Sequence, residues 1–431
     1  MVTRYHVTTL GCPKNAVDSD KVVAALEADG LVASEDALEA DLVVVNTCAF
    51  VEAARQESVD TVLALAEARK PGARLVVTGC MAERYGDELA AALPEVDAVI
   101  GFSGQADLAA VAMPRRKPVG VRDLLDLPRA APSAPWAYLK VAEGCDRACA
   151  FCAIPSFRGP QRSRTPEAIE AEARALVANG VAELVLVAQD LAWFGRDAGE
   201  PGALAPLLAR LDGLRSDGLA RVRLLYLYPS EVRDPLVAAM CELPVVVPYF
   251  DLSLQHASAP LLRRMKRWGS GERFAATIAD IRTRRPEAAF RSSFIVGFPG
   301  ETEDDHTELL AFLESARLDW AGFFAFSPEA GTAAVTLDRE VDTALAAERL
   351  RECSEVQDPI TAAARDALVG TTAEVLVDRV DAEGVVGRTH REAPEIDGVV
   401  RLEGGAPRSG AIVTARIVAA EGPDLVAEAL T

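Results

Sequence analysis

The sequence predicts an α/β protein in three segments: a parallel sheet covered by helices, a partial (β/α)6 barrel, and a small antiparallel β-barrel at the C-terminal end. Three observations carry that reading. In residues 1–110, short β-rich runs (6–10, 42–45 and 75–78) alternate with stretches of helical periodicity (17–28 and 57–68). That is the pattern of a parallel sheet with helices on its faces. From 136 to about 366 the alternation resumes in six longer units, and beyond 368 it gives way to four β-rich runs separated by Gly-, Asp- and Pro-bearing turns. The last pattern suits a small antiparallel barrel.

Composition narrows the class. The chain has 431 residues, 50% of them hydrophobic and 26% charged, which is ordinary for a globular protein with several domains. No run of 18 apolar residues occurs and the first residues lack a signal-peptide pattern, so a cytoplasmic protein without membrane contact is expected. Eight Cys in such a protein point to metal binding or catalysis rather than to disulfides. The net charge of −20 argues against general affinity for nucleic acid and favours a basic partner.

In the first segment, Cys12, Cys48 and Cys80 each come one to three residues after a strand. Ligands of open α/β sheets bind outside the carboxyl ends of the strands, so three loops at that edge could bring the three thiols together. A single buried Cys would be read as a small hydrophobe; three in one structural position are read as ligands. Residues 113–135 form a linker by composition, with the basic run Pro114-Arg115-Arg116-Lys117-Pro118 and then three Pro between 128 and 135. The segments are accordingly 1–125, 130–366 and 368–431.

The middle segment opens with strand 137–141 and then Gly144-Cys145-Asp146-Arg147-Ala148-Cys149-Ala150-Phe151-Cys152. Cys145, Cys149 and Cys152 can present three thiolates to one face of a four-iron cluster, leaving one iron open to a chelating molecule. A structural zinc ion would want four closed ligands, and no second Cys pair or nearby His supplies the fourth. Further strands are expected at 183–188, 222–228, 250–254, 291–296 and 321–326, with polar residues at their carboxyl ends, where such a barrel keeps its active groups. Gln189, Gln255 and the turn Gly297-Phe298-Pro299-Gly300-Glu301-Thr302 stand there; the glycines would let backbone approach a ligand closely. His256 is read as a satisfied polar residue, and Arg263-Arg264-Met265-Lys266-Arg267 as a solvated helix face. One of Arg158, Arg162 and Arg164 could pair with a ligand carboxylate. Cys241 and Cys353 fall in helical patterns and are read as structural.

CxxxCxxC with an aromatic before the last Cys resembles the radical S-adenosylmethionine (SAM) enzymes. Gly11-Cys12-Pro13-Lys14-Asn15 with Val17-Asp18-Ser19, and Asn46-Thr47-Cys48-Ala49-Phe50-Val51, resemble the methylthiotransferases within them. The Cys-Pro-Lys-Asn form, and Glu52-Ala53-Ala54 with Glu57-Ser58, are similar to the branch acting on a ribosomal protein rather than on tRNA adenosine. Gly387-Arg388-Thr389 and Ala393-Pro394-Glu395-Ile396-Asp397-Gly398 are similar to the TRAM domain that ends these enzymes. The resemblance implies a Rossmann-like first domain, a radical SAM barrel and a TRAM domain. It implies two [4Fe–4S] clusters, on Cys12/Cys48/Cys80 and on Cys145/Cys149/Cys152, with SAM as the second cofactor. Phe151, Gln189, Gln255, Gly297 and Gly300 are the candidate SAM contacts; no catalytic acid or base is assigned. The implied reaction puts a methylthio group on the β-carbon of an aspartate in small-subunit ribosomal protein uS12, using two SAM. The implied partners are that basic protein, alone or on the assembling ribosome, and an electron donor such as flavodoxin or ferredoxin. A tRNA substrate is disfavoured, since residues from 368 onward carry six Arg and no Lys against eleven Asp and Glu. Glu395 and Asp397 are expected on a rim that meets the basic protein. A non-catalytic iron–sulfur protein is the rival of a different class.

Overall fold

The computed structural model describes residues 3–113, 125 and 127–430; the basic run 114–118 of the linker lies outside them. Two compact units emerge. One holds the described residues up to Ala131 together with Ala142–Arg147 and Cys152–Arg164; the other holds Pro132–Val141, Ala148–Phe151 and the chain from Thr165 on.

The first unit is built on β1 (Arg4–Thr9), β2 (Val32–Ala33), β3 (Leu42–Thr47), β4 (Arg74–Gly79) and β5 (Ala98–Ile100), all parallel in the order β2-β1-β3-β4-β5. Side chains alternate along β3. Val43 and Val45 pack with Val62, Leu75 and Val77 on one face, while Leu42 and Val44 pack with Tyr5, Val22 and Val76 on the other. Burial on both faces explains the unbroken Leu-Val-Val-Val run, and each such side chain contributes about 1.5–3 kcal/mol. In this order the strands are added on opposite sides of β1, and the switch between β1 and β3 opens a crevice at their carboxyl ends.

The second unit opens with β6 (Trp136–Lys140). The ribbon of β7 (Ala142–Glu143) and β8 (Arg162–Ser163) belongs to the first unit, although it follows the linker. Then come β9 (Glu183–Val187), β10 (Arg221–Leu227), β11 (Val246–Gln255), β12 (Ala289–Val296) and β13 (Trp320–Ala325). With β6 they form one open six-stranded sheet in sequence order, each strand parallel to its neighbour. This is the partial barrel expected. Strand β11 begins four residues earlier than the sequence reading because Pro248, which lacks an N–H, is accommodated in a register irregularity between Val246 and Phe250.

The small barrel is closed by five strands, β14 (Thr372–Asp381), β15 (Gly384–Arg388), β16 (Val400–Glu403), β17 (Ile412–Glu421) and β18 (Asp424–Ala429), in the order β14-β15-β16-β18-β17. It sits on the amino-terminal edge of the six-stranded sheet, fastened by buried polar contacts. Arg223 of β10 donates to Glu183 of β9 at 2.7 Å and to the His390 carbonyl at 2.7 Å, and Arg388 lies 2.9 Å from the same Glu183. Tyr249 donates to Asp397 at 2.6 Å, and Arg291 lies 3.3 Å from it. Asp397 is therefore part of this seat and not of an open rim, its carboxyl pKa raised by burial. Glu395 is exposed yet accepts from Tyr138 at 3.1 Å. Family-like residues in the stretch 393–398 thus serve the joint. Among the described residues no helix is long and apolar enough to cross a membrane.

Candidate functional site

Cys12 caps the helix Pro13–Ala28 just beyond β1, Cys48 follows β3, and Cys80 opens the helix Cys80–Ala92 after β4. All three therefore stand at the carboxyl edge of adjacent strands, around the crevice between β1 and β3. Two stand at helix starts, where free backbone N–H groups and the helix dipole favour a thiolate. Asn15 is the hub that holds them. Its amide donates to the Leu10 and Thr47 carbonyls, each at 3.0 Å, tying the ends of β1 and β3 together. Its oxygen accepts from Arg158 at 2.7 Å and lies 3.4 Å from the Cys80 sulfur. Asn46 donates to the Asn15 carbonyl and to Ser19, both at 2.9 Å, and the Cys48 N–H donates to Ser58 at 3.2 Å. The recognised motif residues Asn15, Ser19, Asn46 and Ser58 are thus the frame of the three loops. Gly11 completes it. Its φ is +92°, and a Cβ there would stand 2.7 Å from the Cys48 Cβ, so only glycine lets the first loop close on the second.

Electrostatics differ among the three thiols. Burial acts to raise the Cys12 pKa, but the charges of Lys14 and Arg158 outweigh it and the net shift is downward. Burial pushes Cys48 up, and Cys80 up to about 11 despite Arg158 beside it. Cys48 feels the charge of Cys12, and Cys80 feels both Cys12 and Cys48, so the three face one space. Among the described residues no group of His, Cys, Asp or Glu is drawn together tightly enough for a single metal ion. Ligands of a four-iron cube stand on separate corners and so lie farther apart than those around one zinc. Three convergent thiols with cationic support fit such a cluster.

Cys145 and Cys152 belong to the first unit and Cys149 to the second. In the first, the Cys145 N–H donates to the Gly159 carbonyl at 3.1 Å, and Asp146 accepts from the Gln161 N–H at 3.0 Å, closing the loop on β8. In the second, the Ala150 N–H donates to the Met265 carbonyl at 2.9 Å. Arg267 lies 3.4 Å from the Cys149 sulfur, also donates to the Ser253 carbonyl, and stacks on the Tyr228 ring at 3.9 Å. This corrects the reading of 263–267 as a solvated face: Arg267 is buried, and Arg264 donates to the Pro299 carbonyl at 2.6 Å. The helix there ends at Arg264, so the last three residues of the run leave its axis. Arg267 is a residue beside Cys149 that the sequence reading missed, whereas its partner Tyr228 is one of the polar residues expected at the carboxyl ends of the strands.

The candidate SAM contacts fall as follows. Phe151 lies in the Cys loop, half-buried; Gln189 follows β9; Gln255 ends β11 with φ +74°; Gly297 follows β12. The last three share the carboxyl edge of the six-stranded sheet. A non-glycine residue with positive φ carries local backbone strain, which Gln255 shares with Tyr226, Lys266, Arg317, Arg339 and Glu395. Space beside the two glycines is taken by protein: a Cβ on Gly297 would meet that of Ala346 at 2.5 Å, and one on Gly300 would meet the Arg264 side chain at 2.5 Å. Internal packing therefore accounts for both glycines. His256, expected to be a satisfied polar residue, is hydrogen-bonded on one side of its ring only, its buried Nε2 having no hydrogen-bond partner among the described residues. Its Nδ1 accepts from the Ser258 N–H at 3.1 Å, so a neutral ring carries its proton on Nε2, 3.4 Å from Glu301. Glu301 in turn accepts from the Gly297 N–H and holds the turn. Cys241 and Cys353 are buried in the helices Asp234–Glu242 and Thr343–Asp366, and burial pushes the Cys353 thiol up to about 12.

Comparisons with known proteins fit this arrangement. Residues 4–101 match the family described as Uncharacterized protein family UPF0004, residues 139–313 the Radical SAM superfamily, and residues 369–430 the TRAM domain. The chain is 44% identical to the ribosomal protein uS12 methylthiotransferase RimO of Salinispora tropica, over 98% of this chain and 95% of that protein. It is 44% identical to the protein of the same name from Saccharopolyspora erythraea (98% and 94% covered) and 42% to that from Cutibacterium acnes (98% and 97%). Among solved structures, the radical SAM methyltransferase TsrM from Kitasatospora setae aligns with a TM-score of 0.56 at 14% identity, covering 76% of this chain and 77% of that one; at that identity the likeness speaks for the fold alone. Full-length identity above 40%, with all three domain types in order, leads to one conclusion: the chain belongs to the ribosomal protein uS12 methylthiotransferase family of radical SAM enzymes.

Proposed function

We propose that this enzyme places a methylthio group on the β-carbon of an aspartate in ribosomal protein uS12, using one four-iron cluster on each thiol triad and two equivalents of SAM. The observation that carries the reading is the convergence of Cys12, Cys48 and Cys80 at the carboxyl ends of β1, β3 and β4, around Asn15 and Arg158. A cluster used only for electron transfer is ordinarily held by four Cys, so sites of three thiols fit that rival poorly. Bound clusters and SAM would supply the radical chemistry that opening an unactivated C–H bond demands. The chain's own residues bind and orient. Asn15, Asn46 and Ser58 hold the first triad's loops in register. Arg267 and Tyr228 support Cys149, while Glu301 braces the turn at Gly297 beside Gln255 and Gln189, the residues proposed to face SAM with Phe151. The net charge of −20 suits a strongly basic substrate such as a ribosomal protein, since complementary potentials speed association and reject like-charged partners.

The test is the mass of the acceptor. Recombinant uS12 and bulk tRNA are incubated separately with reconstituted enzyme, SAM, sulfide and a reductant such as reduced flavodoxin. The uS12 peptide that bears the target aspartate is expected to gain one methylthio group in place of one hydrogen, and tRNA nucleosides to stay unchanged. Methylthiolated adenosine with unmodified uS12 would reverse the choice of substrate. SAM left intact in both would favour the electron-transfer rival.

A further inference from the structure

We propose that Arg158 is a positioning residue for the cluster on Cys12, Cys48 and Cys80, raising its reduction potential through an N–H···S hydrogen bond to Cys80. The inference rests on the two-cluster reading above. Arg158 ends the short helix Ile154–Arg158, just past the loop of Cys145, Cys149 and Cys152, yet its side chain is turned to the other triad. The guanidinium is only 3% exposed. Nη2 lies 3.0 Å from the Cys80 sulfur and 2.7 Å from the Asn15 oxygen. Nη1 lies 2.8 Å from Glu143, and both terminal nitrogens lie 3.3 Å from Asp18. The planar group also covers the Phe102 ring at 4.6 Å.

Two consequences follow from this geometry. First, the four terminal N–H groups are committed to Cys80, Asn15, Glu143 and Asp18, which leaves no fork for a SAM carboxylate. Of the three arginines after the Cys loop, Arg158 is thereby removed from that role. Second, Arg158 is the cation that stands between the thiols and two buried carboxylates. Hydrogen bonds to cluster sulfurs and the local net charge set the potential of an iron–sulfur cluster. Removing this cation exposes the thiolates to Asp18 and Glu143, which disfavours adding an electron. Arginine suits the place better than lysine, because its rigid fork serves several acceptors at once.

The experiment uses the full chain with Cys145, Cys149 and Cys152 changed to Ala, so that only the Cys12/Cys48/Cys80 triad can hold a cluster. After anaerobic reconstitution it is expected to carry about four irons per chain. A redox titration followed by electron paramagnetic resonance then compares Arg158 with Arg158→Met and Arg158→Lys. Arg158→Met is expected to shift the midpoint to more negative potential, and Arg158→Lys, which keeps the charge but not the fork, to shift it less in the same direction. Should the Met variant fail to retain iron, the Lys variant decides alone. An unchanged midpoint in iron-loaded variants would overturn this inference and leave the two-cluster reading standing. No iron in the parent triple variant would overturn both.

Discussion

Changing Cys48 to Ala is expected to abolish methylthio transfer while reductive cleavage of SAM continues near the wild-type rate. Cys48 lies after β3 in the first unit, and its loop is held by main-chain contacts that survive the change: its N–H still meets Ser58, and Asn15 still ties Thr47 to Leu10. Losing one thiol of three removes the cluster ligand without undoing the frame. Cys149→Ala acts on the other triad. It removes the thiol beside Arg267 and is expected to abolish SAM cleavage and product formation together. The two variants separate the roles when 5′-deoxyadenosine and methylthiolated peptide are measured in the same reaction. Methylthiolated product from Cys48→Ala protein would show that the division of labour is wrong.

A second large effect is expected at the joint between the six-stranded sheet and the small barrel. Glu183 is fully buried between Arg223 at 2.7 Å and Arg388 at 2.9 Å. Burial alone would raise its pKa, but Arg223, Arg388 and Arg221 outweigh it and bring the carboxyl from 4.5 down to about 2. Replacing it by Gln leaves the buried Arg223 guanidinium without its counter-charge, while Arg388 keeps Asp378 at 2.7 Å. The expected loss is about 3–5 kcal/mol by analogy with other buried pairs broken on one side. The sign with pH follows from linkage. A carboxyl whose folded pKa lies below its unfolded value contributes stability that is fully present above about pH 4.5. That contribution fades as pH falls toward 2. Denaturant unfolding of wild type is thus expected to weaken over that interval, and the Glu183→Gln variant to show a flatter acid limb from a lower plateau. A variant within about 0.5 kcal/mol of wild type at pH 7, the range of ordinary surface changes, would mean the joint is held by apolar packing instead.

Much of the architecture was legible because it rests on local patterns. Buried Val-rich runs give β3 and β9, and the helical stretches between strands fix a parallel order. The three Cys after strands were readable for the same reason: strand ends in an open sheet share one edge. What escaped depends on partners distant in sequence. Strand β18 is Asp-Leu-Val-Ala-Glu-Ala, rich in residues that also favour helix, and it becomes a strand by pairing with β17 and, in parallel, with β16. Asp397 reads as a surface carboxylate until Tyr249 and Arg291 are seen against it. Arg267 looked like one of several solvated arginines; a helix ending at Arg264 turns it onto Tyr228 instead. Which arginine after the Cys loop would face which ligand could not be read from spacing, and the contacts of Arg158 answer it for that residue alone.

The central claim, two clusters on two triads, is tested most directly by counting iron. Anaerobically reconstituted wild-type protein is expected to bind about eight irons per chain, two cubes of four, and protein with Cys12, Cys48 and Cys80 changed to Ala about four. About four irons in both proteins would contradict the account, because the frame built by Asn15, Asn46 and Ser58 would then hold three thiols and no cluster.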